Sequence, residues 1–554
     1  MKPYKIPVIV GLLFSVVFYS CDDLLDPKAE TNLTEEFANV SYNNTLARSI
    51  GLYSYLPDGL SYLDGAMMAA ASDEAEYTLE TASIHGFNVG SWNANNNPDG
   101  SAWERNFEGI FAANLFLKES DEVDLDYLKY DPTKQQDYQN RLNNIHRWKY
   151  EARFLRAYYY FELVKRYGGV PIIKEVYDIN SDWSNVKRNT YNECVEYIIS
   201  DLDDVIANLP DRPSERNRVG ANAARALKSR VLLYNASALN NPDNDKERWQ
   251  KASDAAKELL DKGYSLCDNY REMFFDVTNN EYIFAKEFSE TYSHMLGFNL
   301  ACTGDGGRGW ATPSQNLVDA YETLDGEIPV LNSESGDINP KSIYNPEKPY
   351  ENRDPRFYDC IYYNGSTSLN GRIVETFKDG ADMIQQDMTM TGYYCRKFVN
   401  ENEPVSQSHH YTTPFPFFRL AEIYLNYAEA EFQLGHEDVA REYVNKVRAR
   451  KSVNMPSITD SGEALLKRIY HERQIELAFE RHRFFDLRRW KIADNTPIVG
   501  LNIIKDGEGK FSYERYVLSL DSRKNEWKDA FFVLPIHYSE IQKSNESLEQ
   551  NNGY

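Results

Sequence analysis

The sequence predicts an all-α dominated fold: divergent tetratricopeptide-like helix-pair repeats with a large loop-rich ligand-binding face and few short strands. Two observations predict it. Apolar residues recur at the helical period in several stretches, each with a second amphipathic stretch close by. Between the pairs lie long segments rich in Gly, Asn, Asp and Pro that fit no regular element.

Arg147 to Tyr167 reads RWKYEARFLRAYYYFELVKRY, with Ala152, Leu155, Tyr159, Glu162 and Leu163 near the helical period. Gly168-Gly169 stops it, and Val170-Pro171 leads away extended. Its partner is Tyr191 to Leu209, which ends at Pro210. Ala221 to Leu239 places Ala224, Leu227, Val231 and Tyr234 on one face, and its many alanines permit close helix approach. Arg248 to Leu260 follows after the Asn240 to Asp245 turn cluster. In Phe418 to Leu434, residues Leu420, Ile423, Tyr424, Tyr427, Ala428 and Glu431 keep the i, i+3, i+4, i+7 spacing, and Gly435 ends the helix. Val439 to Ala449 and Leu465 to Leu487 complete the set. The pure 34-residue repeat signature is absent, so the repeats are divergent. One amphipathic pair cannot bury its own face, so several must stack.

The segments between are of another kind. Asn88 to Gly100 and Gly263 to Pro416 are loop-like, and Gly304-Asp305-Gly306-Gly307-Arg308-Gly309-Trp310 cannot be regular structure. Long irregular stretches inside a domain are usually functional, so binding is assigned to them. The expected organisation is a signal peptide over 1–20 and one domain over 21–554, with loop insertions around 73–103 and 263–416.

Lys2 and Lys5 precede an apolar run from Ile6 to Phe18, Ser20 is the small residue before Cys21, and Asp22-Asp23 follow. That pattern is a secretory signal. Its apolar run is short of the ~20 residues a membrane span needs. A cysteine just past the cut predicts a lipid-anchored bacterial protein acylated at Cys21, although Phe18 and Tyr19 make the lipobox imperfect. No second long apolar run occurs. A formal charge of −24 argues against nucleic acid, whose phosphates require Lys and Arg. The remaining cysteines, Cys194, Cys267, Cys302, Cys360 and Cys395, are few and widely spaced, which excludes a disulfide-dense scaffold and a zinc ribbon. Cys360 and Cys395 either pair or stay as buried thiols.

Several ordered segments resemble the SusD/RagB family of Bacteroidetes nutrient-uptake lipoproteins. They are Arg153-Phe154-Leu155-Arg156-Ala157 through Tyr167-Gly168-Gly169-Val170-Pro171, Ala224 through Val231, and Arg419 through Ala430. Glu472-Arg473, Glu476-Leu477 and Asp486 through Trp490 follow, with Trp103, Ala113-Asn114 and Leu534-Pro535-Ile536 as further matches. Arg481 departs from the family pattern, which usually has Gly after the Glu. The acidic pair after Cys21 is similar to the export signal that carries such lipoproteins to the outer face. The resemblance implies one helical domain that captures an oligosaccharide without cleaving it. It also implies a SusC-like TonB-dependent transporter as partner, and attachment to the outer membrane, facing the exterior. Relatives of the RagB type imply the alternative, a peptide ligand for a peptide importer.

Sugar capture needs flat apolar rings for pyranose C–H faces and convergent polar groups for hydroxyls. The chain has 40 Tyr, 8 Trp and 27 Phe. Each stacking contact is worth about 0.5–1.5 kcal/mol, taking aromatic pairs as a guide. Two or three contacts with polar pairing predict binding on the order of −4 to −8 kcal/mol. The loop from Asp73 to Trp103 is the first candidate, with Asp73, Glu76, Tyr77, Trp92, Asn93 and Asn95; the later loop contains Tyr292, Arg308, Trp310 and Gln315. Trp92 and Trp310 are the candidate platforms, Asp73 and Arg308 the candidate hydroxyl partners. Against them stand plainer roles: a Trp beside Gly and Asn can anchor a loop, and Asp73 and Arg308 can form local salt bridges. Trp103, Trp148 and Trp490, and Tyr158 to Tyr160, are expected in the core. Arg473, Glu476, Arg483, Asp486, Arg488 and Arg489 are expected to form a buried ion-pair network.

Enzyme signatures fail. Ile475 stands where a zincin needs its second His after His471-Glu472, no Gly-x-Ser-x-Gly occurs, and the glycine loop lacks Gly-Lys-Ser/Thr. A helical glycoside hydrolase would need two carboxylates flanking the bond, which 85 acidic residues cannot exclude. No cofactor is expected; Asp243, Asn244 and Asp245 could help hold a structural calcium, but no EF-hand spacing follows and a turn is preferred.

Overall fold

The paired periods of the sequence become neighbouring helices. The computed structural model describes residues 41–177, 181, 186–385, 388–518 and 527–554. The signal segment, Cys21 and the acidic pair lie outside the described residues. The first helices are α1 (Tyr42–Gly51), α2 (Ser101–Glu119), α3 (Gln135–Tyr167), α4 (Tyr191–Asn208), α5 (Ala221–Ala236) and α6 (Lys246–Leu260). After the loop-rich insertion come α7 (Leu420–Leu434), α8 (Glu437–Arg448) and α9 (Gly462–Glu476). From α2 onward each helix packs on the next through α8, and α6 meets α7 across the whole insertion. The all-α dominated, repeat-like scaffold therefore stands.

Local chemistry explains the boundaries. α4 starts on a capping box: Thr190 accepts from the Glu193 N–H, and the Glu193 carboxylate accepts from the Thr190 N–H. The Asp243–Asp245 cluster is a turn. Asn244 has φ 52°, and Asp245 caps α6 by accepting from the Glu247 N–H. Close approach of α2 and α3 depends on Gly109, where a Cβ would stand 2.7 Å from the Tyr159 ring. Tyr158, Tyr159, Tyr160 and Trp148 are buried, as are Trp103 and Trp490.

Two expected helices change. α3 begins at Gln135, not Arg147: Tyr138, Leu142 and Ile145 extend its apolar period toward the N-terminus, with Ile145 buried and Tyr138 packed on the core, while Arg141 pairs with Asp137 and lies 4.6 Å from the Tyr42 ring centroid. The continuous helix expected over Leu465 to Leu487 is broken. Phe479 and Arg481 take left-handed φ values of 65° and 68°, and a short helix, Arg483–Arg489, restarts beyond them. Arg481, the departure from the family's usual Gly, thus occupies backbone space that glycine enters without cost. Its guanidinium is held 4.9 Å from the Tyr62 ring centroid and 3.6 Å from Glu162.

Short two-stranded sheets stitch the loops. β1 (Ala75–Tyr77) pairs with β3 (Ala311–Pro313), β2 (Tyr282–Lys286) with β8 (Phe415–Arg419), and β4 (Val330–Asn332) with β5 (Asp337–Ile338). β6 (Ile361–Tyr362) pairs with β7 (Tyr394–Cys395), and β9 (Val499–Lys505) with β10 (Phe511–Val517). Cys360 and Cys395 are buried free thiols, not a disulfide.

A buried ion network fastens α7 to α9 to the loop-rich half. Glu476 is within 3.0 Å of Arg356, Arg419 and Arg450. Arg419 also reaches Glu281 at 2.9 Å and Glu480 at 2.7 Å, and Lys397 pairs with Glu480 at 2.7 Å. Arg473 and Arg489 both hold Asp486, and Arg489 grips Glu429 with two nitrogens. The charged tract of the sequence is structural, as expected, but its hub draws most partners from distant segments.

Candidate functional site

The two loops singled out in the sequence meet. β1 and β3 place Tyr77 opposite Ala311, and the Thr78 N–H donates to the Trp310 carbonyl at 3.2 Å. The Tyr77 ring stands edge-on to the half-buried Trp310, centroids 5.8 Å apart at 78°. The Arg308 guanidinium lies 4.7 Å from the Trp310 centroid and 5.1 Å from that of Phe298. It has no hydrogen-bond or ion-pair partner among the described residues. In a chain of charge −24, an arginine left unpaired on an indole is an unspent donor.

Backbone bonds aim this pair. The N–H groups of Arg308 and Trp310 donate to the carbonyls of Phe298 and Asn299 in the short helix Leu296–Leu300. Asp64 and Gly65, at φ 51° and 88°, make a tight turn in which Leu63 and Ala66 exchange both backbone bonds. A Cβ on Gly65 would come 2.8 Å from Trp310 Cζ3 and 3.1 Å from the Tyr77 hydroxyl. The exposed Asp64 carboxylate accepts from the Ser83 N–H and hydroxyl at 2.8 and 2.6 Å, which holds it below the usual carboxylate range. Asp64, Gly65 and Ser83 escaped the sequence reading; the Asp-Gly dipeptide was the available signal.

Tyr292 is 53% exposed. Its ring stacks on Phe288 at 5.6 Å and 13°, with the Lys286 ammonium 5.4 Å from its centroid. Tyr292 precedes the short helix Leu296–Leu300 in the chain, and Arg308 and Trp310 follow it.

The other proposed residues are placed differently. Trp92 is not a free platform: it is 4% exposed, packs 4.0 Å from Phe531, and donates its Nε1–H to the Tyr554 hydroxyl at 2.9 Å. It anchors the loop to the C-terminal segment. Asn93 spends its side-chain oxygen on the N–H groups of Asn95 and Asn96 in its own turn. Asp73 is bound by Arg483 through both oxygens, at 2.8 and 2.7 Å, a salt bridge and not a waiting hydroxyl partner. Tyr77 is fully buried and donates to the Asp64 carbonyl at 2.8 Å, so it backs Trp310 without facing solvent. Gln315 is 3% exposed, donating to Asp319 and accepting from the Tyr393 hydroxyl, both at 2.7 Å.

Beside Asp73, Glu74 is 1% exposed. Burial and then the Asp73 charge push its carboxyl up to about 8, although Arg483 and Lys397 oppose them. The folded state thus keeps a proton that the unfolded chain loses near pH 4.3. Stability should fall as pH rises from about 4.3 to 8 by up to ~1.4 kcal/mol per pH unit. Urea titration of Glu74→Gln should show that variant gaining on the parent over this window; parallel pH profiles would refute it.

A model described as the SusD family matches residues 280–554, and one described as starch-binding associating with outer membrane matches residues 29–233. The chain belongs to the SusD family. A SusD-like protein of Formosa agariphila is 23% identical over the full length of both chains. The starch-binding protein SusD of Bacteroides thetaiotaomicron is 23% identical over 74% of this chain and 73% of its own. A solved SusD-like protein of Bacteroides fragilis is 27% identical, with TM-score 0.78 over 94% of this chain and 99% of that one. A laminarin-binding SusD-like protein, 23% identical, shares the SusD fold with TM-score 0.62 over 93% of this chain and all of that one. Among the described residues no helix is long and apolar enough to cross a membrane.

Proposed function

We propose that this SusD-family chain captures a neutral glycan on the cell surface and delivers it, uncleaved, to a SusC-like TonB-dependent transporter in the outer membrane. One observation carries the binding reading: Arg308, unpaired, lies over the half-buried Trp310. The indole supplies a flat apolar face for pyranose C–H groups, and the guanidinium supplies N–H donors for hydroxyls. The names of the relatives, starch-binding and laminarin-binding, support glycan as the ligand class. Acylation at Cys21 would tether the chain to the outer face of the membrane, leaving it free to move against its transporter.

The test is affinity electrophoresis of the purified chain through gels containing amylopectin, laminarin, xylan or mannan, with product analysis on the same polysaccharides. At least one should retard the protein, with no reducing ends released. Retardation by none of them, with binding to a peptide library, would replace glycan by peptide; turnover would overturn the non-catalytic role.

A further inference from the structure

A cleft of about 440 Å³ opens between β4–β5, the segment 344–353 and the β9–β10 hairpin. Its size is within the 300–1,000 Å³ of small-ligand sites. Four tyrosines line it: Tyr344, Tyr350 and Tyr513, each half-buried, and the buried Tyr393. The Tyr350 ring is perpendicular to both Tyr513 and Tyr393, at 6.0 and 6.3 Å. Aromatic faces thus meet at right angles in one concavity.

The polar groups are fixed in advance. Arg515 reaches Asp319 with both terminal nitrogens, at 2.6 and 2.9 Å, and donates to the Ser333 carbonyl at 2.8 Å. Gln315 bridges Asp319 and the Tyr393 hydroxyl. The Tyr350 hydroxyl, beside that of Tyr393, and Arg353 Nε are buried. The charged lining residues, Glu334, Glu514, Arg353 and Arg515, balance in sign. Balanced charge disfavours an ionic ligand. Rings with pre-oriented donors and acceptors favour a neutral, hydroxyl-rich one.

We infer that this cleft is a second saccharide site, separate from Trp310, so that one chain grips a glycan at two points. The inference rests on the glycan reading above. Tyr344 and Tyr513 would stack pyranose faces, while Arg515 and the exposed Glu334 and Glu514 carboxylates address ring hydroxyls. Two linked sites raise the avidity for a polymer well beyond either alone when it spans both.

Isothermal titration would use maltohexaose, laminarihexaose, xylohexaose and mannohexaose on the full chain. For the hexasaccharide that binds, the expected stoichiometry is two in the parent chain, one in Trp310→Ala, one in Tyr344→Ala/Tyr513→Ala, and none in the triple variant. Polymer retardation should weaken at least 10-fold in the tyrosine double variant. Tyr344→Phe/Tyr513→Phe, which keeps both rings, should bind as the parent does; Tyr344→Ala alone guards against a folding defect from loss of the Tyr513 ring. A stoichiometry of one, abolished by Trp310→Ala and untouched by the tyrosine variants, would overturn the second site alone. Failure of every hexasaccharide to bind the parent chain would overturn both readings.

Discussion

Arg419→Met should lower the stability of this protein by about 3–5 kcal/mol, the cost of breaking a buried ion pair by removing one partner. Methionine keeps much of the stem volume, so the loss reports charge more than cavity. Three carboxylates, Glu281, Glu476 and Glu480, would lose a guanidinium that now stands within 2.9 Å of each. All four groups are nearly inaccessible to water, so solvent cannot compensate. The pH dependence has a definite sign. Burial by itself would raise the Glu476 carboxyl, but Arg450, Arg419 and Arg356 hold it well below the usual range. Burial likewise works against Glu480, and Arg419 with Lys397 brings it below its ordinary value. A depressed carboxylate contributes stability above its unfolded value, near pH 4.3, and loses it as pH falls through the lower folded value. In Arg419→Met the stranded carboxylates can take protons more readily, so the gap from the parent should narrow below about pH 5. Urea denaturation at pH 7 and pH 4 measures both. A loss under about 1 kcal/mol at pH 7, or a gap that widens in acid, would contradict the network's role.

Trp310→Ala should weaken glycan binding by about 2 kcal/mol, roughly 30-fold, the scale of a tryptophan hot spot. The whole contact set offers only about −4 to −8 kcal/mol, so this loss would remove most retardation in a gel. The change should act on binding before folding. Trp310 is half-buried, and its neighbours Tyr77 and Gly65 are held by backbone bonds of β1, β3 and the 63–66 turn. Arg308→Ala should weaken binding less, since it removes donors and leaves the ring. Trp310→Phe should retain part of the affinity. Circular dichroism confirms the fold, and titration with the retarding polysaccharide measures the rest. Unchanged affinity in Trp310→Ala would move the site away from this face. Trp92→Ala makes the contrast: with Trp92 packed on Phe531 and bonded to Tyr554, its loss is a core cavity.

The comparison of Trp92 with Trp310 shows how far the sequence reached. Both stand in Gly-containing loops, and local composition treats them alike. What separates them is the C-terminal segment, which covers Trp92 with Phe531 and Tyr554 from more than 400 residues away and leaves Trp310 half-open. Asp73 fails for the same reason, since Arg483 lies 410 residues on. Asp64 and Ser83 were absent from the reading because their roles come from a turn and one bond, not from a periodic pattern.

The sequence by itself determined the helix-pair scaffold, the stops at Gly168 and Gly435 and the core tyrosines of α3. These follow from the 3.6-residue period and from glycine and proline chemistry, which act within a few residues. Only the tertiary structure decided which loop rings stay open, which carboxylates find arginines, and that Arg481 bends the chain where a helix was expected. Those outcomes depend on partners far apart in sequence, brought within hydrogen-bonding distance only when the α7–α9 helices close on the loop-rich half. Burial and charge pairing are properties of that meeting, and no local pattern encodes them.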